Sequence, residues 1–181
     1  MKKNIKKDII NLLILFITFF IVFLMITKSE FWFGSTKDWN QQHWVIPEYF
    51  RSLFYETHDL FPDFAFNLGS GQNIYNFAYY GYLNPVILIS YLLPFISMQS
   101  YIVGSTVALV LLSVVLMYFF IKKKTNSKTA FICSFIFLMA TPLIYHSHRH
   151  IMFMNYMPFL ILGYYGVDKY FEEKKLWLLS L

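Results

Sequence analysis

The sequence predicts an all-α polytopic membrane protein, on three observations: apolar runs of spanning length, basic clusters set against their ends, and a composition too apolar for a soluble fold. Of its 181 residues, 57% are hydrophobic, 22% aromatic and only 14% charged. A soluble domain of that size has too little core to hide so much apolar surface, so lipid must be the solvent for much of it. Eleven of the fifteen Lys and Arg residues fall in three clusters, at Lys2 to Lys7, Lys122 to Lys128 and Lys169 to Lys175. Such cations resist translocation, so the three clusters are expected to share the cytoplasmic face of a multi-pass plasma membrane protein whose N-terminus is cytoplasmic. The opposite face then carries Lys28, Lys37, Arg51 and Arg149 with six acids. The net charge of +5 follows from this topology and gives no support to a nucleic-acid partner.

The first apolar run, Ile9 to Ile26, is 18 residues, about 27 Å as a helix, and follows four lysines. No small-x-small cleavage pattern follows Ile26, so it is expected to be an anchor and not a removed signal. Residues 27–84 then form a large first extracytoplasmic loop. Within it, Trp44 to Glu56 places Trp44, Ile46, Phe50, Leu53 and Phe54 at mixed three- and four-residue spacings, with Glu48, Arg51, Ser52 and Glu56 between them and Pro47 in the first turn, an amphipathic pattern suited to the membrane interface. The glycines of Asn67 to Asn73 mark a tight turn, and the aromatic run Tyr75, Phe77, Tyr79, Tyr80 and Tyr82 suits an interface or a ligand groove.

Residues 85–96 are too few to span, and a span there would put Lys122 to Lys128 on the wrong face, so they predict a re-entrant or interfacial helix. Further spans are expected at Tyr101 to Ile121, Ala130 to Tyr145 and Ile151 to Val167, with a tight external turn at His146 to His150. Leu176 to Leu181 reads as the opening of another span, which predicts that the chain is a fragment of a longer protein forming a single transmembrane module. Cys133 is the lone cysteine, so neither an internal disulfide nor a cysteine metal cluster is expected.

Chemistry-bearing residues concentrate in the external loop. Asp38 lies about a dozen residues beyond the first span, where a carboxylate at the lipid surface meets both membrane-borne and water-borne reactants and can serve as a general base. The bland alternative is a solvated loop aspartate. Trp39, Gln41, Gln42, His43 and Trp44 beside it supply the stacking faces and hydrogen-bonding groups that grip sugars, although Trp also anchors ordinary interfaces.

Asp38, Gln42-His43, Pro47, Arg51, the Gly69-x-Gly71 turn, Tyr79-Tyr80-Gly81, Asn84-Pro85, Asn155, Pro158-Phe159-Leu160 and Leu162-Gly163 together resemble the amino-terminal part of the YfhO family. Those proteins resemble GT-C glycosyltransferases. The resemblance implies a GT-C-like transmembrane helix module that transfers a sugar from a polyprenyl-phosphate-linked donor to a cell-envelope polymer, such as a teichoic acid, on the extracytoplasmic face. It implies that Asp38 deprotonates the acceptor, that Gln42, His43, Tyr79 and Tyr80 line the substrate site, and that the departing phosphate needs positive charge or donors. Arg51 supplies a fork-shaped cation for it, and so does Arg149, with His148, on the external turn. No cofactor is implied.

The spacing of His146, His148 and His150 also fits a metal site or a plain polar turn, and no metal ligand is assigned. Gly69 and Gly71 lack the Lys-Ser/Thr ending of a phosphate loop, so a nucleotide site is not expected. A transporter, a flippase or a non-catalytic scaffold subunit would show the same basic clusters and aromatic belts. Transport, however, needs charged or broken-helix positions at bilayer depth, and the runs here hold little that is polar beyond Asn11, Thr18, Ser105, Thr106, Ser113, Ser134 and Asn155, which favours an interfacial enzyme.

Overall fold

The computed structural model describes residues 5–27, 33–34, 37–150 and 155–177. The fold is helical, with one small hairpin. Helix α1, Ile5–Ile26, packs Leu15, Phe19 and Phe23 inward at four-residue intervals and leaves Ile9, Leu13, Ile17 and Leu24 exposed. A π-helical turn, Trp39–His43, leads into α2, Val45–Thr57, whose Ile46, Phe50 and Leu53 face a core as the amphipathic pattern predicts. Gly34 has φ +96°, and a Cβ there would lie 2.1 Å from the buried Trp39 ring, so only glycine lets the chain pass.

Strands β1, Phe64–Ala65, and β2, Gln72–Asn73, pair antiparallel, and the turn between them puts Gly69, Ser70 and Gly71 all at positive φ. That is the tight backbone the glycines predict. A 3-10 helix, Ile74–Tyr80, begins where the Asn73 side chain accepts from Tyr75 N at 2.9 Å. The run at 85–96 is a five-residue helix α3, Pro85–Ile89, followed by a 3-10 turn at Ser90–Leu92. Asn84 caps α3 through Val86 N at 2.8 Å.

Helix α4, Met98–Lys124, is the longest element at 27 residues and extends the expected run at both ends, starting from the Ser97 cap. Asn126 accepts from Lys128 N and Thr129 N at 3.0 Å and starts α5, Ser127–Leu138, immediately after the α4 lysines. The apolar run expected to continue unbroken to Tyr145 is divided: α5 ends at Leu138, Ala140 is extended, and α6, Thr141–Ile144, restarts with Pro142 in its first turn. Pro142 has no N–H to donate backward and disfavours helical backbone before it, so the break falls there. Helix α7, Met157–Glu173, continues six residues past the expected end of the last apolar run at Val167, into the charged flank that begins at Asp168. Residues 151–154 and 178–181, and with them the start of that run and most of the apolar ending, lie outside the described residues, as do Lys2, Lys3 and Lys28.

Two cores result. One gathers Trp39, Ile46, Phe50, Tyr80, Tyr82 and Met98 from the loop and the start of α4. The other gathers Leu15, Phe19, Val114, Tyr118, Leu138 and Met157 from the long helices. Phe33 packs against both, and α4 runs through both, which fixes the loop layer on one end of the helices. Helices α1 and α4 are long and apolar enough to cross a membrane.

Candidate functional site

The loop layer and the turn after α6 bring most of the predicted residues to one place. The π-helical turn projects His43 inward, where it is 2% exposed, and its Nε2 lies 3.0 Å from His150 Nδ1. One ring nitrogen of the pair donates and the other accepts, and the rings stand nearly perpendicular with centroids 5.0 Å apart. Tyr80 lies 5.7 Å from the His43 ring and donates its hydroxyl to Gln42 Oε1. Tyr79 lies against Tyr80 at 4.1 Å and is exposed.

From the other side, the turn at 145–150 is closed by Arg149 N and His150 N donating to His146 O at 3.0 and 3.1 Å. His148 is buried edge-on among Phe23, Phe33 and Tyr145. Arg149 is half-buried, with its guanidinium carbon 4.4 Å over the Tyr145 ring. Asp38 is exposed at the start of the π-helical turn, and its charge bears on both His43 and Tyr80.

Burial, with the neighbouring His150, holds the His43 imidazole down at about 4 against the opposing pull of Asp38. Burial, then Arg149 and His146, holds His148 down at about 4 as well. Both rings are therefore neutral at neutral pH, each with one N–H and one acceptor nitrogen, and the tautomer of the His43–His150 pair decides whether the N–H of His43 lies on Nε2, toward His150, or on Nδ1. Burial and the adjacent Tyr79 push the Tyr80 hydroxyl upward, so it remains a donor. Four buried polar atoms here, His43 Nδ1, Ser147 Oγ, His148 Nδ1 and Arg149 Nε, have no hydrogen-bond partner among the described residues. Such atoms are costly, about 1–3 kcal/mol each, and in native proteins they concentrate where a fold keeps donors for another purpose. One permanent cation and several neutral donors make a group suited to an anion.

Arg51 lies elsewhere. It is buried on α2, paired with Glu48 at 2.6 Å, and donates to Ile96 O at 2.9 Å and Leu93 O at 3.5 Å. Its fork ties α2 to the turn before α4, so the structure separates it from the His cluster. Conversely, His150 and Ser147 join the cluster although the sequence did not single them out as site residues. His150 was visible only as part of a His-rich run, and its contact with His43 spans 107 positions. Among the described residues no group of three or more His, Cys, Asp or Glu is placed to hold a metal ion.

Beside the cluster, a groove of about 420 Å³ is lined by Tyr79, Leu83, Asn84, Asn155, Tyr156 and Phe159. Its aromatic and aliphatic walls are largely exposed. Tyr79 belongs to both the groove and the cluster rim.

A family model described as "Bacterial membrane protein YfhO" matches residues 9–181. No curated protein and no solved structure matches the chain.

Proposed function

The chain belongs to the YfhO family of bacterial membrane proteins, and from that premise we propose that it serves as a membrane glycosyltransferase of the GT-C type. In this reading it transfers a sugar from a polyprenyl-phosphate-linked donor to a cell-envelope polymer, such as a teichoic acid, on the extracytoplasmic face. The observation that supports the reading is the gathering of Gln42, His43 and Tyr80 against the turn of His148, Arg149 and His150, with the charge of Asp38 bearing on it and buried polar atoms that have no partner among the described residues.

The acceptor hydroxyl attacks the anomeric carbon as the bond from that carbon to the phosphate oxygen breaks. The hydroxyl proton passes to the Asp38 carboxylate, and the electron pair of the broken bond leaves on the polyprenyl phosphate, inverting the carbon. Negative charge on the departing phosphate is met by Arg149 and by the N–H groups of the neutral histidines. Gln42 and Tyr80, already hydrogen-bonded to each other, offer fixed edges for sugar hydroxyls, and Tyr79 offers a stacking face. The groove beside Tyr79 takes the first isoprenoid units of the donor. Arg51, tied to Glu48 and to the Ile96 carbonyl, serves the packing of α2 and takes no part in the transfer.

The test is sugar transfer in membranes from a polyprenyl-phosphate donor, comparing the protein with Asp38→Asn at matched expression. The exchange keeps shape and removes the base, so transfer is expected to fall by about 10²–10⁴-fold. Equal transfer by both forms would remove Asp38 from the reaction, and absence of transfer in the unaltered protein would turn the reading toward a transporter or scaffold.

A further inference from the structure

Between Asp63 and Lys122 the chain carries no Asp, Glu, Lys or Arg, although much of residues 64–97 lies at the surface of the loop layer. A surface that faces water ordinarily carries charged side chains, so a charge-free one points to another solvent. Its most apolar part is the link into α4. There Ile89, Leu92 and Phe95 are 54%, 78% and 80% exposed and recur at the three-residue repeat of a 3-10 turn. They cannot turn inward, because Ile87, Ser90 and Tyr91 already fill the inner side, where Tyr91 stacks on Phe54 with ring centroids 5.2 Å apart.

The backbone of the link is closed by the protein itself. Tyr101 donates to Val86 O at 2.6 Å, Ser90 Oγ to Ile87 O at 2.5 Å, Tyr55 to Tyr91 O, and Arg51 to Ile96 O at 2.9 Å and Leu93 O at 3.5 Å. Leu93 N and Ile96 N donate to Ser90 O and Leu93 O at 3.0 and 3.1 Å, and Pro94 has no N–H to place. A turn in water can leave such carbonyls to solvent, whereas a turn in lipid must satisfy them from the protein.

The link also stands at the right level. Helix α4 begins at Met98, three residues after Phe95, and ends 27 residues later in Lys122, Lys123 and Lys124. At about 1.5 Å per residue it is about 40 Å long, about 10 Å more than the hydrocarbon core, so with its lysines at one boundary Met98 reaches the other. We propose that the link is an interfacial wedge: Ile89, Leu92 and Phe95 insert into the lipid leaflet at the Met98 end of α4, among the outer parts of the acyl chains, without reaching the bilayer centre. The link holds no cation, so its partner is the apolar boundary of the lipid and no particular headgroup. Leu83 and Pro85, where the segment begins, line the groove beside Tyr79, so insertion sets the groove mouth at the lipid surface. The wedge rests on α4 spanning the membrane, stands apart from the sugar-transfer reading and is tested without it.

The experiment uses the full chain with Cys133→Ala and one added cysteine carrying an environment-sensitive fluorophore, reconstituted at one chain per phosphatidylcholine nanodisc. At Phe95→Cys, phosphatidylcholine spin-labelled near the glycerol is expected to remove about half of the emission, lipid spin-labelled at the chain end clearly less, and aqueous iodide little, as for an apolar face set at the boundary of headgroups and acyl chains. At Glu56→Cys, on the exposed end of α2, iodide is expected to quench and the lipid label to have little effect. Alike responses at the two positions would overturn the proposal. So would insensitivity of position 95 to both quenchers, the mark of a covering protein surface, or stronger quenching there from the chain end, the mark of a deep re-entrant segment. If Phe95→Cys lowers the thermal midpoint, Leu92→Cys, also exposed, decides by the same outcomes.

Discussion

The two polar ends of the helices solve the same problem in opposite ways. At one end, Asp8, Lys122, Tyr118, Asn11 and Ser127 form a closed network that joins α1, α4 and α5, and Lys123 bridges to Asp168 and Glu172 of α7 at 2.8 Å. Each of its buried charges faces an opposite charge. At the other end, two neutral histidines, an arginine and a serine keep buried polar atoms that no group among the described residues satisfies. Saturated polar groups fix a structure, whereas unsatisfied ones are the means by which a site meets a ligand. The comparison thus gives the first end a holding role and supports the proposed reading, in which the second end meets the donor.

Breaking the saturated end is expected to cost the most stability. Lys122→Met leaves the Asp8 carboxylate buried without its cation, at a cost of about 3–5 kcal/mol, and Asp8→Asn added to it restores most of that. Thermal unfolding in mild detergent measures both, and a single variant as stable as the unaltered protein would mean the network holds nothing together.

Arg51 sharpens the comparison, because it sits in the loop layer yet is saturated like the lysine end. Arg51→Ala is expected to cost about 1–3 kcal/mol by freeing the Ile96 and Leu93 carbonyls and Glu48, with sugar transfer per folded molecule retained. A selective loss of transfer with normal stability would return Arg51 to the site.

The smallest effect is one of pH. His43 and His148 are held below their ordinary value, so between about 4 and 6.5 the unfolded chain binds protons that the folded chain refuses. Their contribution to stability is therefore complete above the unfolded value near 6.5 and is lost as pH falls toward 4. His43→Gln is expected to flatten the dependence of the thermal midpoint on pH across that window, and an unchanged slope would show that the ring is not buried neutral.

Helices were legible where one local rule governed them. The unbroken apolar runs marked α1 and α4, and the spacing from Trp44 to Glu56 marked α2. The division at Ala140 was also written locally, in Thr141-Pro142, but the apolar run around it hid the signal. What the sequence could not display was pairing at long range. Asp8 looks like one more member of a basic flank until α4 returns Lys122 to it, 114 positions later. Arg51 looks like a free loop cation until the turn at Leu93 to Ile96 folds against α2. Of the site, Gln42, His43, Tyr80, His148 and Arg149 were legible as residue types suited to sugars and phosphate, but the contact of His43 with His150 depends on the whole fold.

The most direct measurement is sugar transfer from a polyprenyl-phosphate donor by membranes carrying Arg149→Gln, taken together with that variant's thermal midpoint. Because Arg149 stacks on Tyr145 and its Nε has no partner among the described residues, its loss is expected to leave the midpoint nearly unchanged while transfer falls by about 10²–10³-fold. Undiminished transfer, or a fall in transfer that merely tracks a fall in stability, would contradict the assignment of this end to recognition of the donor.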